Sequence, residues 1–215
     1  MYDYAKIKYL YPNEKEALFQ TIDATDSRHR IRNRAIFYLA EYAALRASEV
    51  GLIQLSDINP CTNEIFFRRL KNSKSNRLRL IDDNVISALQ DYLDYRREKK
   101  IESNFLFPSQ KGNPISRKTL DQVMKRYCFL AALPCEKAHF HVLKHTRAVE
   151  LADLGLDTKE VQFWTGHRNI ANTEIYLQFT TTQQNTLYLK MEQLKLSSEA
   201  SHSSAIFGIK NQLKI

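Results

Sequence analysis

Glu64–Ile81 reads EIFFRRLKNSKSNRLRLI, and within it helical periodicity gives way to a different pattern. Ile65, Phe66 and Phe67 are β-formers, Asn72 to Asn76 (NSKSN) is a run of turn formers, and Arg77 to Ile81 alternates charge with leucine. That order predicts a β-hairpin. From Arg68 to Arg79 it carries six Lys or Arg and no acid. A basic hairpin is often a solvated edge that discourages strand pairing. Facing a polyanion, the same charges bind phosphates.

Outward from the hairpin, helix-period segments dominate. Pro12, Asn13 and Glu16 make a capping-box-like start for a helix through Leu18, Phe19 and Ile22. Ser27 opens a second helix, in which Ile31, Ala35, Leu39 and Tyr42 recur on one face. A short helix follows over Ser48–Leu55. Beyond the hairpin, helices are expected over Val85–Glu98, Ser116–Leu130, His141–Leu154, Thr158–Trp164 and Asn172–Phe179, with a loop at Asn104–Pro114. Phe163 and Trp164 read as core. A last amphipathic helix through Leu187, Leu189, Leu194 and Leu196 precedes a linker, SSEASHSS, and an apolar end, AIFGIKNQLKI. The fold class expected is mainly α with a small antiparallel β-sheet (α+β).

Composition narrows the classes. With 43% hydrophobic and 26% charged residues in 215, the chain is neither a disordered polymer nor a coiled-coil rod. The longest nearly apolar run, Ala35–Leu45, is broken by Glu41 and falls short of the ~20 residues of a membrane helix. MYDYAKIKYL lacks the apolar core of a signal peptide, so a cytoplasmic protein without a membrane partner is expected. Three cysteines (Cys61, Cys128, Cys135) with no CxxC pair suggest neither a disulfide framework nor a Cys-based zinc site. The net charge of +8 raises nucleic acid as a partner.

His139, His141 and His145 first suggest metal ligation, since His141 and His145 share a helix face. Lys144 lies beside them, and no carboxylate stands at ligand spacing in that turn. An adjacent cation argues against a metal. Other residues redirect the reading: Arg46 and Glu49 in ALRASEV, Lys71 in RRLKNSKS, His141 in HVLKH, His167 in WTGHRN, and Tyr176 nine residues later. This order and spacing, from about Tyr11 to Phe179, resembles the catalytic domain of the tyrosine recombinases, the phage-integrase family. The family pattern is Arg-x-x-Glu, a hairpin Lys, His-x-x-Arg-His, Gly-His, then a Tyr. RRLKNSKS and the short length resemble the fimbrial-switch invertases.

The resemblance implies a tyrosine recombinase catalytic-domain fold and a site-specific DNA recombinase that cuts and rejoins duplex DNA through a 3′-phosphotyrosyl intermediate. It implies integration, excision or inversion by a homo-tetramer on DNA, in a bacterial or phage-type, nucleoid-associated setting, with DNA-bending accessory proteins. No metal or other cofactor is expected. Arg46 would bind the scissile phosphate through its planar fork, and Glu49 would orient Arg46 or a nearby histidine. His141 and His167 would donate to phosphate oxygens. Lys71 would protonate the leaving 5′ oxygen, with Lys74 its rival, and Tyr176 would be the nucleophile. Lys144 stands where the family most often has a second arginine and would be a catalytic cation, donating to one non-bridging phosphate oxygen without the fork. His145 would be a structural hydrogen-bonding residue. Arg69, Lys74 and Arg77 are expected to bind DNA. Residues 1–182 form the expected catalytic domain and 183–215 a C-terminal helix and tail exchanged between protomers, without a separate N-terminal DNA-clamping domain. The rivals are a type IB topoisomerase, which shares the chemistry, a non-catalytic DNA-binding regulator, and a metal-dependent hydrolase.

Overall fold

The computed structural model describes residues 8–70 and 73–177, together with 188, 191, 192 and 195. Lys71 and nearly all of the expected C-terminal helix and tail lie outside the described residues. Helix α1 spans Pro12–Ala24. Proline at its first turn supplies a pre-set φ, and Glu14 reaches back to accept the Tyr11 backbone N–H at 2.8 Å. The cap is closed by Glu14 and not by the expected Glu16, because the helix begins at Pro12 itself. Helix α2, Arg30–Tyr42, starts three residues after Ser27, whose carbonyl accepts the Arg30 N–H at 2.9 Å. Its Ala35, Ile36, Phe37, Leu39 and Ala40 are buried at the centre of the core.

A four-residue helix, α3 (Ala47–Val50), is shorter than expected. The sheet has three strands in the order β1 (Ile58–Asn59), β2 (Glu64–Phe67) and β3 (Asn76–Arg79), all antiparallel. Ile65 pairs with Leu78 on the buried side, and Arg77 and Arg79 point outward, as period-two alternation requires. The predicted hairpin is β2–β3. The third strand, only two residues long, carries too little pattern to be read locally.

Helix α4 (Asp83–Glu98) is capped by Asp82, whose side chain accepts from Asn84 and Val85, and it packs along α2. Helix α5 (Arg117–Leu130) is capped by Ser116 on the Thr119 N–H at 3.1 Å. Then come α6 (His141–Asp153), α7 (Thr158–Thr165) and α8 (Ala171–Leu177). Helix α6 packs on α2, α7 and α8, which brings the chain's last described helix beside its central one. Trp164 packs against the main core and against a second cluster around Val149, Leu151, Val161 and Tyr176, and donates its indole N–H to the Tyr42 carbonyl at 2.6 Å. Phe163, expected in the core, is 60% exposed, because α7 turns only one face to α6. No helix among the described residues is long and apolar enough to cross a membrane.

Candidate active site

After α2 the chain reverses through Ala44, whose φ of 51° is left-handed, and Arg46 then caps α3. Glu49, at the third position of α3, accepts the Arg46 backbone N–H at 2.9 Å and its Nη1 at 2.8 Å. Arg46 Nη1 also donates to Ser73 Oγ at 2.9 Å, which ties this turn to the hairpin tip. The side chain stays one-third exposed (33%), so its fork is held from behind and open in front.

Beneath Arg46 lie two buried cations. Arg69, expected to bind DNA, is corrected by the structure: its side chain is 0% exposed and its guanidinium donates to Glu49, Asn76 and the carbonyls of Ala43, Ala44 and Trp164. With its charge spent inside the protein, it has no face for phosphate. Strand β2 ends at Phe67 with an inward residue, and Arg69, two residues on, points the same way. Lys144 is also buried, and its ammonium donates to the carbonyls of Ala44 at 3.1 Å and Thr165 at 2.7 Å. Burial pushes its pKa well below the ordinary lysine value, and Arg69 pushes the same way. Burial alone would raise the Glu49 pKa, but Lys144, Arg69 and Arg46 outweigh it and hold the carboxyl below its ordinary value.

On α6, one helical turn sets His145 under His141, their rings edge to face at 4.3 Å. His145 Nδ1 lies 2.8 Å from the Tyr176 hydroxyl of α8. Tyr176 is 2% exposed, and the His167 ring stacks parallel to it at 6.1 Å. His167 Nδ1 is 3.0 Å from Thr173 Oγ1. With Nδ1 accepting that hydroxyl proton, Nε2 carries the N–H and is a donor. Burial first, and then Lys144 and Arg46, push His167 down to about 2. Withdrawal from water with Lys144 and Arg46 nearby takes His141 to about 4, although the residue as a whole is exposed. Burial, His141 and Lys144 take His145 to about 3. All three histidines are therefore neutral near pH 7.

A cleft of ≈ 520 Å³ opens over this cluster, lined among others by Arg46, Leu70, Arg117, Lys125, His139 and His141. The sequence reading passed over Arg117 and Lys125, two exposed cations on α5 two turns apart. Their only signal was helical spacing, which any solvated face shares. At the hairpin tip Lys74 is exposed and its backbone N–H donates to the Gly166 carbonyl at 2.8 Å. Gly166 has φ 69°, and a Cβ there would lie 2.8 Å from the Lys74 carbonyl oxygen, so only glycine fits. Arg77 is exposed on β3, with Glu64 3.8 Å away. Thus Arg46, His141, His145, His167 and Tyr176 belong to one connected cluster, with Glu49 and Lys144 supporting it from below.

The phage integrase family matches residues 8–183. The type 1 fimbriae regulatory protein FimB of Escherichia coli K12 is 34% identical over 175 residues, 81% of this chain and 86% of that protein. Tyrosine recombinase XerC of Listeria welshimeri is 29% identical over 189 residues, 85% of this chain but 61% of its own length. Among solved structures, XerH site-specific recombinase bound to palindromic difH substrate, a post-cleavage complex, superposes with TM-score 0.72 at 22% identity, covering 86% of this chain and 54% of that one. The catalytic domain of bacteriophage HP1 integrase superposes at TM-score 0.58 and 18% identity, covering 84% and 92%. At such identities these two likenesses show the fold alone.

Proposed function

This chain belongs to the phage integrase family, the tyrosine recombinases, and from that premise we propose that it cuts and rejoins duplex DNA at specific sites with Tyr176 as its nucleophile. One observation supports this reading most: an unbroken run of contacts leads from the cleft, through His141 and His145, to Tyr176 and His167, with Arg46 on the same cleft wall. The scissile phosphate enters that cleft. Arg46 binds its non-bridging oxygens by a charge-assisted fork, and neutral His141 and His167 each donate one N–H. Lys144 contributes its charge from below, which favours the phosphate without contact. The phenol oxygen attacks phosphorus, and Lys71 protonates the leaving 5′ oxygen.

The 3′-phosphotyrosyl ester retains the bond energy, so rejoining needs no ATP. Because cations neutralise the developing charge, neither metal nor other cofactor takes part. Membership in this family favours recombination over the topoisomerase and regulator readings. In this proposal four copies act on two sites in the bacterial cytoplasm, at the nucleoid and with DNA-bending accessory proteins, and residues 183–215 reach a neighbouring copy.

A nicked suicide duplex bearing the host element's junction tests the reading. Wild-type protein should form a covalent adduct in the presence of EDTA. Tyr176→Phe should form none and still bind the duplex with near-unchanged affinity. Undiminished adduct from Tyr176→Phe would remove the nucleophile assignment.

A further inference from the structure

We propose that His145 is a catalytic residue, the base that takes the phenolic proton of Tyr176 as the oxygen attacks phosphorus. The inference rests on the assignment of Tyr176 as nucleophile. His145 carries no role in the expected chemistry, yet its Nδ1 stands 2.8 Å from the reacting oxygen, inside the ~2.6–3.2 Å reach of direct proton transfer.

The other histidines are occupied differently. The His167 ring lies parallel to the phenol ring with centroids 6.1 Å apart, and its Nδ1 is 3.0 Å from the Thr173 hydroxyl. His141 lines the cleft where the phosphate enters. The i,i+4 spacing on α6 thus separates two tasks. The outer histidine meets the phosphate, and the inner one meets the tyrosine.

The surroundings keep His145 ready as an acceptor. Its neighbours are His141, His139, Lys144 and Arg46, and together with burial they keep the ring neutral. A neutral imidazole with Nδ1 unprotonated accepts the phenol O–H. When the phosphate arrives, its negative charge offsets the repulsion from Lys144 and Arg46, and His145 becomes more basic as it is needed.

In the step itself the Oη–H bond breaks and its proton moves to Nδ1, while the Oη–P bond forms. The P–O5′ bond breaks with its electron pair on O5′, which takes a proton from the site's acid, Lys71 in the proposal above. Rejoining reverses each transfer, and imidazolium His145 returns its proton to the departing phenolate.

Single-turnover adduct formation on the nicked suicide duplex tests this role. His145→Asn places an amide oxygen near the Nδ1 position, so it can hold the tyrosine without acting as a base. It should bind DNA like the wild type and cleave ~10²-fold more slowly or worse. Putting an acidified fluorotyrosine at position 176 of that variant should recover at least ~10-fold, because a more acidic phenol needs its base less. A packing defect would not respond to phenol acidity. Wild-type cleavage by His145→Asn, or no recovery with fluorotyrosine, would overturn the proposal. Should His145→Asn fail to fold by circular dichroism, His145→Gln carries the same two measurements. Tyr176→Phe run in parallel separates the failures. Adduct from that variant overturns the nucleophile assignment, whereas its absence beside full activity of His145→Asn overturns only the base.

Discussion

Lys144 and Arg69 bring two basic side chains into the interior beside one carboxylate, Glu49, and spend their donors largely on carbonyls at the ends of α2 and α7. A phosphate in the cleft above them would favour the protonated form of Lys144, whose pKa burial and Arg69 depress. The same bonds hold the Arg46 turn against the turn that bears His167. Lys144→Met, which keeps the volume, should therefore lose ~1–3 kcal/mol of stability, because the Thr165 carbonyl is left without its ammonium donor. Its cleavage should fall ~10²-fold, because the turns that carry Arg46 and His167 lose a shared tie and shift from their working positions. Urea unfolding and single-turnover cleavage measure the two effects, and a wild-type rate would remove Lys144 from the chemistry. Arg69→Met breaks a buried ion pair and should lose ~3–5 kcal/mol in the same unfolding measurement. Its DNA affinity, where folded, should keep the wild-type salt dependence, since the guanidinium touches no solvent.

The β2–β3 hairpin is the element that joins the two halves of the site. Ser73 holds Arg46, and the next residue, Lys74, docks by its backbone on Gly166 next to His167. Its basic charge divides into two groups. Arg69 is inside, and Lys74 and Arg77 are outside. Lys74→Ala and Arg77→Ala should each lower the log–log slope of DNA binding against salt by ~0.9, one phosphate contact apiece. An unchanged slope in the double variant would mean that the outer face is a solvated edge. The hairpin was legible in the sequence because turn formers between β-formers act locally. Which of its cations would be buried was not, since that depends on α2 and α7 covering one side of the strand.

At the scale of the whole molecule, the packing of α6 against α2, α7 and α8 keeps three histidines neutral in the native state, and stability should depend on pH accordingly. The folded pKa values of His141, His145 and His167, at about 4, 3 and 2, lie below the ~6.5 of an unfolded histidine. The unfolded chain thus binds protons that the native chain refuses, and stability falls as pH drops below ~6.5. Buried His167 and half-buried His145 each contribute up to ~1.4 kcal/mol per pH unit. Glu41 works in the opposite direction. Burial beside Glu150 raises it to about 7 despite Lys15, so it favours the native state as pH falls from 7 toward ~4.3. Three histidines against one carboxylate leave a net loss. Urea midpoints should be lower at pH 5 than at pH 7, and His167→Asn should narrow the difference. The same pH 5 to pH 7 difference in wild type and variant would mean that native His167 takes up its proton as readily as the unfolded chain does.

The helices, the hairpin and the residue types of the site were all set by local rules that the sequence displays by itself. Helical spacing put His141 and His145 on one face, the turn run NSKSN placed the hairpin, and the order from Arg46 to Tyr176 carried the resemblance to the tyrosine recombinases. Tertiary structure alone decided that Arg69 faces inward, that Lys144 ends on two carbonyls, that Phe163 is exposed, and that two residues before the hairpin add a third strand. It also decided that His145 meets a hydroxyl 31 residues further along the chain. Side-chain periodicity determines which residues share a face of one element. Which face is covered, and by what, depends on contacts between elements distant in sequence, and no local pattern encodes them.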